Sequence, residues 1–549
     1  MINTYWQKTA ALVCCGLAVL LLTACSSGQG LQSSLEADTE KTGRPEAAAT
    51  GWENYADEPV ELEWYVNFSW FKMGWGENLV SRKITEETGV SINFITPAGS
   101  ETEKMNSMIA SDTLPDIITI GWWEPQMEQM VEENMVYPLN ELADEYAPYF
   151  YQVIDEDTAA WYTKEDGNLY CYPNSSYTPK DYEEYENVGS NQNFLVRKDI
   201  YEAIGSPDMT TPEGFCNAVR AAAEQFPEVD GEPLIPIGAE EFKQEGCNSF
   251  DKYLQNFLAV PYEKDGKAYD RMTDPEYLSW LKVFRQLGQE GYLADDIFVD
   301  RRTQIEEKIA KGQYFCMFYQ GQDMLDQQKT LYEKFPERIY MAVDGPKNSA
   351  GDDPTLPGTS INGWTVTLIS RNCPHPERAI ALLSYLISEQ GQKMIYLGVE
   401  GEMYDMTDGR PVVHSDILDL LMKDRDEYNR IYGADDAYWM LQDNVMQLSW
   451  GQQLSEAERQ IKEWTYPYTI YAGQYEVNYE AGTEEFNIYK KTEQEWGRVL
   501  PQLLLAGSDA EFDRIMQSFV EKREVYGYDK VLQETTRQME HLKEKLGLT

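Results

Sequence analysis

Histidine is scarce in this chain of 549 residues, and the common signatures of catalysis are missing. The three histidines, His375, His414 and His541, lie far apart, and none has a metal-binding spacing such as His-Glu-x-x-His. There is no Gly-x-Ser-x-Gly elbow and no phosphate-binding loop. A glycosidase needs only two carboxylates, but with 94 acidic residues such a pair has no specificity. The sequence therefore offers no specific evidence for an enzyme or for a cofactor.

Basic residues are also few. The chain has 46 Lys and Arg residues and 94 Asp and Glu residues, which gives a formal net charge of −48. This balance disfavours a role at nucleic acids or at anionic membrane surfaces, because both would repel the chain. We expect no nucleic-acid partner.

Cysteine is limited to eight positions. After Cys25 an odd number remains: Cys171, Cys216, Cys247, Cys316 and Cys373. Cys316 lies in an apolar strand and is predicted to be a small core residue. One or two disulfides among the others stay open, because no spacing establishes a pairing.

Long apolar runs are absent except near the N-terminus, where residues 9–22 resemble the core of a signal peptide. The run ends in Leu22-Thr23-Ala24-Cys25, which matches the lipobox of bacterial lipoproteins. We predict a signal peptide over residues 1–24, lipidation of Cys25 and a flexible tether over residues 25–52. The alternative is an ordinary secretory signal with a chance cysteine.

Strand and helix patterns alternate in the mature chain. Residues 63–68 and 90–95 are predicted strands, a helix is predicted over residues 78–88 between them, and residues 114–120 form a third strand after another helix. This order predicts a parallel α/β layer with right-handed crossovers. The length of the chain suits at least two lobes.

Aromatic residues are abundant, with 37 Tyr and 14 Trp. Ligands of open α/β sheets bind beyond the carboxyl ends of strands, where loop aromatics offer apolar faces to sugar rings. The candidates on such loops are Trp70, Trp75, Trp122, Trp123 and Tyr319. The alternative for each is packing beneath its own loop.

The stretch from Leu356 to Tyr404 is the most informative one. It contains a predicted strand from Trp364, a helix that starts at Pro376, a second helix and a return loop. Asn362, Trp364 and Glu402 are candidate ligand contacts, since polar groups fix the orientation of a ligand in a pocket. The structural alternative makes Asn362 and Gly363 turn residues.

The same stretch resembles the bacterial extracellular solute-binding proteins of family 1, the sugar-capturing lipoproteins of ATP-binding-cassette (ABC) importers, in their long Gram-positive subgroup. The ordered motifs are Pro357-Gly358, Gly363-Trp364, Pro376-Glu377-Arg378-Ala379, Ser388-Glu389-Gln390-Gly391-Gln392 and Gly398-Val399-Glu400-Gly401-Glu402-Met403-Tyr404. Shorter matches, such as Thr88-Gly89-Val90, extend the resemblance over nearly the whole mature chain.

The resemblance implies an α/β, two-lobed periplasmic-binding-protein-like fold of type II, with lobes joined by several hinge crossings. We assign residues 53–175 with 340–410 to an N-terminal lobe, and residues 176–339 with 411–549 to a helix-rich C-terminal lobe. The implied function is capture of a carbohydrate, an oligosaccharide, by a monomer held on the extracellular face of the cell membrane by its lipid anchor alone. ABC permease subunits are the implied partners.

Some relatives carry a calcium loop, but the corresponding residues here, 226–233, lack the spaced ligands that calcium needs. We therefore expect no metal at Asp230. Two other functions stay open: a secreted glycoside hydrolase and a peptide-binding lipoprotein.

Overall fold

The strands of the chain follow the predicted alternation with helices. The computed structural model describes residues 51–451, 454 and 456–548, so the predicted signal peptide and Cys25 lie outside the described residues. The strands are β1 (Val60–Val66), β2 (Val90–Ile95), β3 (Ile117–Gly121), β4 (Tyr172–Pro173), β5 (Gln192–Arg197), β6 (Glu228–Val229), β7 (Glu232–Pro233), β8 (Ile235–Gly238), β9 (Glu263–Lys264), β10 (Lys267–Ala268), β11 (Tyr314–Gln320), β12 (Tyr340–Ala342), β13 (Leu356–Pro357), β14 (Thr365–Ile369), β15 (Tyr404–Thr407), β16 (Arg410–Val413) and β17 (Thr469–Ile470).

The helices account for most of the remaining chain. They are α1 (Leu79–Thr88), α2 (Glu101–Ser111), α3 (Pro125–Glu132), α4 (Leu139–Tyr146), α5 (Phe150–Val153), α6 (Glu156–Tyr162), α7 (Pro179–Glu184), α8 (Lys198–Ala203), α9 (Pro212–Gln225), α10 (Leu254–Phe257), α11 (Pro275–Gln289), α12 (Arg302–Ala310), α13 (Leu325–Lys334), α14 (Pro376–Ile387), α15 (Glu389–Tyr396), α16 (Ser415–Lys423), α17 (Arg425–Ile431), α18 (Asn444–Trp450), α19 (Glu456–Thr465), α20 (Glu484–Leu505), α21 (Asp509–Tyr526) and α22 (Tyr528–Lys545). Local signals set many of these ends. The side chain of Asn78 caps α1, and Gly89 ends it with a φ of 68° that favours glycine.

A first sheet has the strand order β2-β1-β3-β14-β4. Strands β1, β2 and β3 are mutually parallel, as predicted, whereas β14 runs antiparallel to β3 and β4. All five residues of β3 and of β14 are buried, since helices cover both faces of the sheet.

A second sheet has the order β12-β5-β11-β8. Strand β11 pairs in parallel with β8 and antiparallel with β5, and β12 runs antiparallel to β5. Cys316 lies within β11 and is fully buried, which confirms its prediction as a core residue.

Each sheet lies in its own hydrophobic core. The part of the chain that packs in the core of the first sheet is called the first lobe, and the residues of this core come from segments 52–172 and 366–441. The second lobe shares the core around the second sheet, drawn mainly from residues 194–356 and 461–519. The chain therefore passes between the lobes three times, which agrees with the expected two-lobed fold with several crossings.

The lobe boundaries differ from the prediction at two places. Strand β12, predicted for the first lobe, pairs with β5 of the second. Conversely, Ile417, Tyr428 and Trp439 pack in the first core, although that segment was predicted for the second. The lobe in which a short element packs depends on contacts with residues that are distant in sequence, and local periodicity does not encode these contacts.

The three crossing segments are bonded to one another. The backbone N–H of Tyr177 donates to the carbonyl of Ser360 at 3.0 Å, and that of Ser175 donates to the carbonyl of Gln442 at 2.7 Å. The last helix provides a further link, because Lys545 Nζ donates to the carbonyl of Trp161 at 2.6 Å and lies 4.2 Å from the centre of its ring. Helix α22 of the C-terminal segment thereby contacts the first lobe.

The five cysteines in the described residues are all buried and unpaired, so none of the open disulfides forms there. Within the same part of the chain, no helix has both the length and the hydrophobicity that crossing a membrane requires.

Candidate functional site

The carboxyl end of the first sheet brings together four of the eight predicted site residues. Strands β1 and β3 end there, and β14 begins there because it runs antiparallel, with Thr365 opposite Gly121. The loops after β1 and β3 and the turn before β14 therefore meet at one place. They bring Trp70, Trp122, Trp123 and Trp364 into one neighbourhood.

A stack of indole rings occupies this end of the sheet. Trp70 is 43% exposed, and its ring lies nearly parallel to that of Trp364, at 12°, with 6.0 Å between centroids. Trp439 lies behind both, 4.6 Å from Trp364 and 5.7 Å from Trp70, and is 7% exposed. The exposed ring of Trp70 is thus supported by Trp364 and by the buried ring of Trp439.

A second exposed indole lies on the loop after β3. Trp123 is 45% exposed and stands perpendicular to the half-buried Trp122, with 6.1 Å between centroids. A Cβ atom at Gly121 would come within 2.6 Å of the Trp123 ring, so the glycine allows the ring to fold back over the strand end. The backbone N–H of Trp122 donates to the carbonyl of Trp364 at 3.5 Å, which joins the two aromatic groups.

Three other predicted residues lie in different surroundings. Trp75 packs against the first core and donates its indole N–H to Thr85 Oγ1 at 2.9 Å. Tyr319 is 3% exposed in the second core, and burial raises its pKa. Glu402 is exposed in the turn before β15. Ligand contact by these three residues stays a prediction.

Asn362 is buried and its polar atoms are engaged within the protein. Oδ1 accepts a hydrogen bond from the indole of Trp161 at 2.7 Å, and Nδ2 donates to Glu476 Oε2 at 2.8 Å. Its carbonyl accepts from the Tyr162 hydroxyl at 2.6 Å, and Ser360 Oγ also donates to Glu476. In this conformation Asn362 ties a crossing segment to both lobes, and its contact with a ligand stays a prediction.

A carboxyl group that the sequence interpretation did not single out lies beside the indoles. Glu124 directly follows Trp123, and its two oxygens accept hydrogen bonds from Asn67 Nδ2 at 2.7 Å and from the Gly121 N–H at 3.0 Å. Burial raises the pKa of Glu124 from 4.5 to about 7, against the opposing effect of the two donors. Only its place after Trp122-Trp123 on a strand-end loop could have indicated it.

Polar groups also lie at the carboxyl ends of β8 and β11 in the second lobe. Glu240 follows β8 and accepts from Asn248 Nδ2 at 3.0 Å, while Gln320 at the end of β11 donates to the Tyr253 hydroxyl at 2.7 Å. Asp323 comes next, 3.5 Å from Arg302. Burial raises the pKa of both Glu240 and Asp323.

Metal ligands do not cluster at either sheet. In the described part of the chain, no group of three or more His, Cys, Asp and Glu side chains is arranged to hold an ion. At the place of the calcium loop of some relatives, the carboxylate of Asp230 instead pairs with Arg338 Nη1 at 2.9 and 3.0 Å.

Comparison with known proteins identifies the family of the chain. The family profile described as bacterial extracellular solute-binding protein matches residues 80–401, which is more than half of the chain. The fructooligosaccharide ABC transporter substrate-binding protein FusA of Streptococcus pneumoniae serotype 4 is 25% identical over 236 residues. That match spans 40% of this chain and 42% of the length of FusA.

Solved structures show the same fold over almost the whole length. The alginate-binding protein AlgQ2, without calcium ion, has a TM-score of 0.66 at 18% identity, with 88% of this chain and 98% of that chain covered. FusA of S. pneumoniae in complex with kestose has a TM-score of 0.67 at 16% identity, with coverages of 88% and 100%. The two lobes, their sheets and the matched profile agree, and the chain belongs to the bacterial extracellular solute-binding proteins.

Proposed function

We propose that this protein captures an oligosaccharide between its lobes and delivers it to an ABC importer. The exposed ring of Trp70, backed by Trp364, is the observation that carries the proposal, and the carboxyl group of Glu124 lies at the same end of the sheet, bonded to Asn67 and Gly121. Sugar rings have apolar faces that pack on indoles, and their hydroxyls need polar partners such as a carboxylate. The arrangement provides both within one neighbourhood.

The matched relatives support a carbohydrate as the ligand. FusA is named for fructooligosaccharides and has been solved with kestose, and AlgQ2 is named for alginate. Because the sequence match spans 42% of FusA, the sugar itself is not carried over to this chain.

The mechanism is capture without bond breaking. Bending at the three crossing segments brings the carboxyl end of the second sheet towards the aromatic residues of the first lobe, which encloses the ligand and excludes water. The closed shape is then what permease subunits recognise. In this proposal the protein is a monomer, is not an enzyme, and is held outside the cell by lipid on Cys25.

A thermal-shift screen of the chain from residue 26 tests the proposal. A sugar that binds only the folded state raises the melting temperature, and we expect this with one glycan series. Chromatography of the mixture after overnight incubation should show the sugar unchanged. Release of shorter sugars would point to a glycoside hydrolase, and a shift with peptides alone would point to a peptide-binding lipoprotein.

A further inference from the structure

The carboxyl group of Glu124 is held in an unusual way for its position in the chain. Glu124 is the residue that precedes helix α3, where acidic side chains commonly accept hydrogen bonds from the first helical N–H groups. Its side chain makes no such bond to α3. It turns back to the strand ends instead, where Asn67 and Gly121 hold it.

The support for this carboxyl group reaches into the first core. Asn67 is 1% exposed, and its Oδ1 accepts a hydrogen bond from the hydroxyl of the fully buried Tyr65 at 2.7 Å. Its amide is thereby oriented so that Nδ2 points to Glu124, which acts as an acceptor. A carboxylate has about four acceptor positions, so two hydrogen bonds from the protein leave about half of them for a ligand.

The charged group that acts on the pKa of Glu124 is another acid. Glu101 adds to the rise in its pKa, and within the described residues no lysine or arginine forms an ion pair with Glu124. Glu101 itself accepts from the N–H and the hydroxyl of Ser69, next to Trp70. A second negative group from a ligand would meet repulsion here without a cation to offset it.

In the proposed closure, the carboxyl end of the second sheet brings further acids. Glu240 and Asp323 follow its two parallel strands, Lys243 acts on both of them, and Arg302 is shared with Glu306 and Asp323. The protein as a whole carries a formal charge of −48. An anionic ligand therefore approaches an acidic protein and meets an acid without a cationic partner at the first sheet, and more acids than bases at the second.

We propose that the site selects uncharged oligosaccharides, and that Glu124 determines this specificity by accepting hydrogen bonds from ring hydroxyls beside Trp70 while rejecting sugar carboxylates and sulfates. This inference rests on the proposed function and names the chemical class of its ligand. Hydroxyl donors complete the acceptor positions of Glu124 without adding charge, whereas acidic sugars lose hydration and gain no cationic partner.

Calorimetry with two sets of probes tests the selection. The neutral set is kestose, maltotriose, cellotriose, mannotriose, xylotriose and lacto-N-tetraose, and the anionic set is trigalacturonate, trimannuronate and sialyllactose. We expect binding within the neutral set and none within the anionic set. Binding of an anionic sugar at least as tightly as any neutral one overturns the inference and leaves the proposed function standing. Binding of no sugar at all overturns both.

The role of Glu124 is tested with the neutral sugar that binds. Glu124→Gln keeps the size of the side chain but replaces one acceptor by a donor, so we expect at least about a tenfold loss of affinity. The matched control is Glu61→Gln, because Glu61 is exposed near the start of β1, at the opposite end of the first sheet from Glu124. An unchanged affinity in Glu124→Gln overturns the assignment.

Proton release distinguishes ligand contact from a structural role. Hydroxyl donors favour the ionised carboxylate, so binding at pH 6.5 should release a proton from Glu124, whose pKa in the free protein is about 7. Titrations in buffers of different ionisation enthalpy measure this release, which we expect in the wild type and in Glu61→Gln and not in Glu124→Gln. Equal release in all three proteins would overturn direct contact.

Discussion

Asn362 donates a hydrogen bond to Glu476 at 2.8 Å, and this bond joins the second crossing segment to the last third of the chain. Burial raises the pKa of Glu476, while the donors Ser360 and Asn362 oppose the rise. The same asparagine accepts from Trp161, whose carbonyl holds Lys545. The hinge region is therefore stabilised by one polar network of buried and half-buried groups.

Removal of Asn362 should destabilise the protein. Asn362→Ala removes the acceptor of the Trp161 indole N–H and one donor to Glu476 Oε2. Loss of the partner of a buried polar group lowers the free energy of unfolding by about 1–3 kcal/mol. Urea unfolding measures the change. The control is Asn93→Ala, an exposed position on β2 where we expect less than about 0.5 kcal/mol.

A carboxylate at the same position should make stability depend on pH. Asn362→Asp places a second acid against Glu476, and the pair has to retain a proton to stay buried. We expect this variant to lose more stability at pH 8 than at pH 5, by about 2 kcal/mol. A loss that is equal at both pH values would argue against the contact.

The exposed indole should contribute to affinity more than to stability. Trp70→Ala removes the outer ring of the stack and leaves Trp364 and Trp439 in place, so we expect about 2 kcal/mol less binding free energy, roughly 30-fold in Kd. Tyr332→Ala is the control, because Tyr332 is 53% exposed on helix α13. Calorimetry with the sugar that binds measures the affinity of both variants. Equal affinities of Trp70→Ala and Tyr332→Ala would exclude Trp70 from the site.

The stability of the free protein should fall as the pH rises through the pKa of Glu124. The folded state holds this proton more tightly than the unfolded state, since the pKa is raised from 4.5 to about 7. Its contribution is complete below pH 4.5 and is lost through pH 7. Relative to Glu124→Gln, we expect the wild type to lose on the order of 2 kcal/mol between pH 5 and pH 8. A stability difference between the wild type and Glu124→Gln that is the same at pH 5 and at pH 8 would contradict this.

The five thiols should be unreactive until the protein unfolds. Burial raises the pKa of Cys171 and of Cys373 to about 12, and the other three cysteines are buried as well. Titration of the chain from residue 26 with a thiol reagent should show none reacting in buffer and five in denaturant. Fewer than five in denaturant would reveal a disulfide.

Local patterns predicted the elements that lie close together in sequence. The strand β2 has the predicted bounds, and helix α1 starts one residue after the predicted Asn78, which is its cap. The parallel arrangement of β1 to β3 also followed from the alternation of strands and helices. These features depend on periodicity and capping, which neighbouring residues encode.

The site was predictable only in part, because its support comes from distant segments. Trp70 and Trp123 lie on strand-end loops, as expected, and both are exposed. Trp439, which backs Trp364, belongs to a short 3-10 helix, Asp435–Leu441, in a region that was predicted to be mainly helical and part of the other lobe. The burial that raises the pKa of Glu124 likewise depends on packing that no local pattern encodes.

The bonds between the crossing segments restrict how the lobes can move. Sliding one lobe past the other would break main-chain bonds such as those of Tyr177 to Ser360 and of Ser175 to Gln442, whereas bending changes only dihedral angles at the segment ends. These bonds therefore favour bending over sliding as the relative motion of the lobes. If a sugar contacts both lobes as proposed, it would act as a bridge that resists their separation by bending and not by sliding.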